Sequence, residues 1–211
     1  MSDQVACVEY LGHGFAVLRC GFSIHELDND VYICIHRDAM RELLALVFRL
    51  YKRWNDRNDF VEWLKRMFSD FFISGDMSFC APLGIKLWEI LVEWDRFMKE
   101  QRIKHFYNEI GDCDDFARMF QEFVVFRFRM NTLGRLWGLL YGEEDGKEVL
   151  LGGHAYNWVV LPIDCDYDRV EVQVKGVEPQ LSAAMLPDNS GAMVLPLTNF
   201  LLRYVSYTAF G

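Results

Sequence analysis

The hydrophobic period changes twice along this chain of 211 residues, and that change constrains the fold more than any other feature. Buried positions recur every second residue in a strand and every ~3.6 residues in a helix. Val5–Tyr10, Phe15–Cys20 and Val31–Ile35 read as β-rich runs, separated by Gly12, Gly14, Gly21 and the polar Asp28-Asn29-Asp30. From Arg37 the period lengthens. Met40, Leu43, Leu44, Val47, Phe48, Tyr51 and Trp54 share one helical face. Phe60, Trp63, Leu64, Met67 and Phe71 repeat the pattern over Asp59–Phe72. After a break at Ser74-Gly75-Asp76, Pro82 is placed to open a helix over Leu83–Lys104, with Leu87, Ile90, Leu91, Trp94 and Met98 inward. A further helix is expected over Asp112–Met130, through Phe116, Met119, Phe120 and Phe123. The period then shortens again. Arg135–Tyr141, Val149–Leu151, His154–Leu161 and Val170–Lys175 read as strands, with turns at Gly142–Gly146, Gly152-Gly153 and Pro162–Asp168. A loop at Pro187–Gly191 and an apolar stretch from Met193 to Tyr207 close the chain. Strands, then helices, then antiparallel strands predict an α+β protein.

Composition narrows the function. Hydrophobic residues make up 52% and charged residues 25%, a balance that supports a packed core. Lys+Arg number 22 against 31 Asp+Glu, a formal net charge of -9. Phosphate neutralisation needs clustered Lys and Arg, so nucleic acid is not an expected partner. No apolar run reaches the ~20 residues of a membrane-spanning helix. Met1–Tyr10 carries acidic and polar residues where a signal peptide has a basic start and an apolar run. The expectation is a cytoplasmic protein without membrane association, its oligomeric state unspecified.

The cysteines Cys7, Cys20, Cys34, Cys80, Cys113 and Cys165 are scattered, and no Cys-x-x-Cys pair exists. That removes zinc-ribbon and thioredoxin-type motifs. Five of the six are expected to serve as small buried hydrophobes. Cys113 differs. Gly111 and Asp112 suit a turn and a helix N-cap. A thiol in the first helical turn feels the positive end of the helix dipole, which favours the nucleophilic thiolate. Asp112, Asp114 and Asp115 oppose this by like-charge repulsion. The site therefore calls for a cation, an imidazolium or a metal ion. His154 follows Gly152-Gly153 and opens a strand. Taken alone it reads as a hydrogen-bonded structural residue more readily than as a base. Glu178 ends the next strand, before Pro179. There a carboxylate can orient an imidazole, or simply be solvated.

Three segments taken in order carry a resemblance: Gly111-Asp112-Cys113-Asp114-Asp115-Phe116-Ala117, His154-Ala155-Tyr156 and Glu178-Pro179. They resemble the Gly-x-Cys-x-Asp-aromatic-Ala, His-Ala-aromatic and Asp-Pro segments of transglutaminase-like and papain-like thiol enzymes. The chain is also similar to the papain-like protease domain of chimeric mushroom agglutinins, in which glutamate stands third. The likeness spans about residues 84–180. It departs from the common pattern at Glu178, where Asp or Asn is usual. The resemblance implies a papain/transglutaminase-like α+β fold, with a Cys-bearing helix packed on an antiparallel sheet that carries the His and the acid. Residues 1–80 would be a strand-plus-helix elaboration and 81–211 the catalytic region, together one compact unit.

The resemblance further implies a cysteine peptidase or related hydrolase with a protein or peptide substrate. Cys113 would attack, His154 would move the proton and Glu178 would orient His154. Acyl transfer to an amine, or deamidation, uses the same groups. A non-catalytic structural or viral assembly protein on this fold is the rival of another class. Papain-like enzymes use a Gln just before the Cys as an oxyanion donor. Here Tyr107 and Asn108 stand in that region, and Asn108 is the candidate amide. Asp112, Asp114 and Asp115, with Glu109, are oxygen ligands of the type Ca²⁺ takes. The agglutinin-type relatives are calcium-dependent, but the cluster lacks the Asp-x-Asp-x-Asp-Gly spacing and reads more readily as a solvated patch. No other cofactor is called for. Asn157 falls on the opposite strand face from His154 under strict alternation and is given no role in the triad.

Overall fold

The computed structural model describes residues 7–48, 76–103, 113–145, 147–179, 193–195 and 204–209. The helix expected over Asp59–Phe72, with Asn108, Glu109 and Asp112, lies outside the described residues. The chain opens on β1 (Val8–Gly12), β2 (Phe15–Leu18), β3 (Phe22–Leu27) and β4 (Asp30–His36). Then come α1 (Arg37–Phe48), β5 (Ser78–Pro82), α2 (Leu87–Glu100) and α3 (Cys113–Phe128). The strands β6 (Leu133–Glu144), β7 (Lys147–Asp166), β8 (Arg169–Glu178), β9 (Met193–Leu195) and β10 (Tyr204–Ala209) follow. The protein is thus a mixed α+β chain with antiparallel sheets.

The strands form two sheets. The larger has 7 strands in the order β1-β2-β8-β7-β6-β10, with β9 also on β8, and the smaller has 3, β3-β4-β5. Each face of the larger sheet has its own core. Tyr156, Trp158 and Val160 of β7, with Val170, Val172 and Val174 of β8, pack with Ile33 and Ile35 of β4 and with Met40, Leu43, Leu44 and Val47 of α1. The alternate residues Val159, Leu161 and Val177 pack instead with Ile90, Leu91 and Trp94 of α2 and Phe116, Phe120 and Val124 of α3. Burial on both faces explains why Ala155–Leu161 of β7 reads as a near-continuous apolar run, whereas β8 alternates Val170, Val172 and Val174 with the half-buried Arg169, Glu171, Gln173 and Lys175.

Local chemistry sets the element ends. Gly21 has φ +72, and an added Cβ would stand 2.6 Å from the Ala39 Cβ, so only glycine lets this turn lie against α1. α2 ends where Arg102 turns left-handed (φ 53). The Ile103 and Arg102 N–H groups then return to Met98 and Lys99 carbonyls at 3.0 and 3.2 Å, closing the last turn.

Two sequence expectations are corrected. Pro82 ends strand β5 rather than opening a helix, and α2 begins at Leu87. Gly152-Gly153 is not a turn: β7 runs through it, and the irregularity is a register shift opposite Leu140/Tyr141. The cysteines differ as well. Four of the six, expected as reduced core residues, form the disulfides Cys7–Cys20 and Cys34–Cys80. The free thiols are Cys113 and Cys165.

Asn131 joins the chain after α3 to the small sheet. Its N–H donates to the Cys80 carbonyl at 2.9 Å, and its Oδ1 accepts from the Cys80 N–H at 2.6 Å. It thereby covers the edge of β5 that β4 leaves open. Asn131→Ala should lower unfolding free energy by roughly 1–2 kcal/mol, measured by urea denaturation, because it strips a backbone donor of its partner.

Candidate thiol site

Cys113 is the first residue of α3, and its thiol is free and half-buried. Phe116, Ala117, Phe120, Gln121 and Val124 are the buried face that seats the helix. Asp114 and Asp115 occupy the first turn, where carboxylates complement the helix dipole. They are not left to act on the thiol alone. Arg118 donates to Asp115 at 3.0 Å. Arg135 reaches the same helix from β6. Burial lowers its pKa and Arg118 lowers it further, while Asp114 and Glu122 act in the opposite direction. Asp114, Arg118 and Glu122 are spaced four apart, so they share the helix edge that Arg135 faces. Arginines thus supply positive charge beside the acidic first turn of α3. They were missed because the sequence shows no link between β6 and this helix edge.

His154 lies in β7 opposite Gly138. Its side chain lies outside what the structure describes. The β6–β7 register runs without a shift from Gly138↔His154 to Leu133↔Val159. Asn157 is on the α3 side, since its Nδ2 donates to the Ala117 carbonyl at 2.9 Å. His154 stands three residues before Asn157 on the same unshifted ladder. Glu178 is 3% exposed at the end of β8. The Asn157↔Val177 pair, carried one step on, sets Glu178 beside Tyr156. The strand end is tied to α2 by Trp94, whose Nε1 donates to the Pro179 carbonyl at 3.0 Å.

The second free thiol has a different setting. Burial raises the Cys165 pKa, and the neighbouring Asp164 and Asp166 raise it further, so it is a poor nucleophile at neutral pH. For calcium, Asp115 is already bonded to Arg118 and Asp114 lies in the field of Arg135. Among the described residues no group of three or more His, Cys, Asp or Glu side chains is placed to hold a metal ion. Among the described residues no helix is long and apolar enough to cross a membrane.

No protein-family model matches the chain, and no curated protein and no solved structure was found to be similar to it.

Proposed function

We propose that the protein is a thiol-dependent, amide-processing enzyme of papain/transglutaminase-like architecture with Cys113 as its nucleophile. One observation carries this reading: of the two free cysteines, Cys113 alone opens a helix, in whose first turn Asp115 is paired with Arg118. In the reaction the Cys113 sulfur attacks the amide carbonyl carbon while His154 takes the thiol proton. The Cys113 backbone N–H, with Asn108 as the second donor, stabilises the oxyanion. The C–N bond breaks, the amine leaves with the proton from His154, and a thioester remains. Water or a second amine then attacks the thioester and frees the thiol. Glu178 holds the His154 ring.

This reading makes a demand on the ladder: His154 and Glu178 must reach Cys113, although the register sets Glu178 beside Tyr156, on the face away from α3. The odd spacing of His154 and Asn157 along the unshifted ladder favours a second reading, a structural or assembly protein in which Cys113 is merely a thiol at a helix start.

A p-nitrophenyl acyl ester separates the two. The first reading predicts a stoichiometric burst, one acyl group on the Cys113 peptide by mass spectrometry, and a burst slowed roughly 10²–10⁴-fold in His154→Ala. Added amine that speeds deacylation identifies acyl transfer, and indifference to amine identifies hydrolysis. Acylation absent from Cys113 supports the structural reading. Calcium titrated into the same assay shows whether the acidic flank responds to the ion.

A further inference from the structure

Asn157 is fully buried, yet only one end of its amide is matched. Nδ2 donates to the Ala117 carbonyl at 2.9 Å and to the Gly134 carbonyl at 3.2 Å. Among the described residues its Oδ1 has no hydrogen-bond partner. A buried acceptor left unpaired is costly, and an apolar side chain of the same size would avoid that cost. What the two donor bonds join accounts for the amide. Gly134 belongs to β6, and Ala117 lies one turn beyond Cys113 in α3. The direct cross-strand neighbour of Asn157 is Arg135, which faces the same stretch of helix. This is a polar layer beneath the N-terminal half of α3. The rest of the helix is seated by Phe120 and Val124. Apolar packing is non-directional and leaves a helix some freedom to slide, whereas two directed hydrogen bonds fix its height.

We propose that Asn157 is the positioning residue of the Cys113 site, clamping the N-terminal half of α3 to the β6–β7 ladder and so setting where the thiol stands. The proposal rests on Cys113 being the reacting group. It makes Asn157 part of the site without a place in the triad.

The test compares Asn157→Ala with Thr132→Ala. Thr132 is equally buried, and its Oγ1 donates to the Val160 carbonyl of β7 at 2.7 Å without touching α3. Both variants should melt at lower temperature than the wild type. Only Asn157→Ala should slow acylation of Cys113, by roughly tenfold or more, because small misplacements of a reacting atom are that expensive. Equal acylation in the two variants overturns the proposal. If wild-type Cys113 is not acylated at all, the nucleophile reading fails on its own. The clamp is then decided by hydrogen exchange: amides of the first turns of α3 lose protection in Asn157→Ala and keep it in Thr132→Ala, or the proposal falls. Should Asn157→Ala not fold, the wild type suffices. The Asn157 side-chain amide protons should exchange slowly in its NMR spectrum, and fast exchange contradicts the clamp.

Discussion

Trp94→Ala should lower the free energy of unfolding by roughly 4 kcal/mol, the upper range for truncating a buried aromatic. The indole is fully buried. Its ring lies 5.6 Å from Phe97, 5.3 Å from Phe120 and 5.3 Å from Phe123, centroid to centroid, so it fills the layer between α2 and α3. Truncation opens a cavity that three rigid rings cannot collapse into. It also strips the Pro179 carbonyl of the indole N–H. Trp94→Phe separates the two effects. It keeps most of the ring volume and loses the hydrogen bond, so it should cost about 1–2 kcal/mol. Urea denaturation of both variants checks this. A loss below about 2 kcal/mol for Trp94→Ala would mean that α2 and α3 repack around the gap.

The second large effect concerns the disulfides. Cys34 and Cys80 are direct partners across β4 and β5. The Cys80 N–H and carbonyl both point to Asn131, so the two cysteines meet at a non-hydrogen-bonded pair, the closer of the two antiparallel kinds. Their sequence separation is 46, against 13 for Cys7–Cys20. Constraint of the unfolded chain grows with the loop closed. The loss should be about 4 kcal/mol for the Cys34→Ser/Cys80→Ser variant and about 3 kcal/mol for Cys7→Ser/Cys20→Ser. Denaturation under oxidising and reducing conditions gives the comparison. Reversal of that order would show that native-state packing, not loop closure, dominates.

Where the period was long and regular, the fold was legible. Met40, Leu43, Leu44 and Val47 marked α1, and Ile90, Leu91, Trp94 and Met98 marked the inner face of α2. Strands with weak or interrupted patterns were missed. β3 is mostly exposed and carries Ser23, His25 and Glu26. β5 is five residues ending on proline, which looks like a helix start until its partner β4 is known. Gly152-Gly153 imitates a turn, but the ladder with β6 carries the strand across it. The site divides in the same way. Cys113 at a helix start could be read from its neighbours. Asn157 and Arg135 could not, because their roles come from the packing of α3 on β6 and β7. The disulfide pairings are likewise tertiary.

The account turns on Cys113, and its reactivity is open to direct measurement. The native, unreduced protein is treated with iodoacetamide across a range of pH, and carbamidomethylation of each cysteine is followed by mass spectrometry. Cys7, Cys20, Cys34 and Cys80 should stay unlabelled in their disulfides. Cys165, whose thiol burial pushes up with help from Asp164 and Asp166, should react only as the solution becomes alkaline. Cys113 should react selectively near neutral pH, and His154→Ala should suppress that advantage. Labelling of Cys113 and Cys165 at the same rate with the same pH dependence would contradict the assignment of Cys113 as a nucleophile.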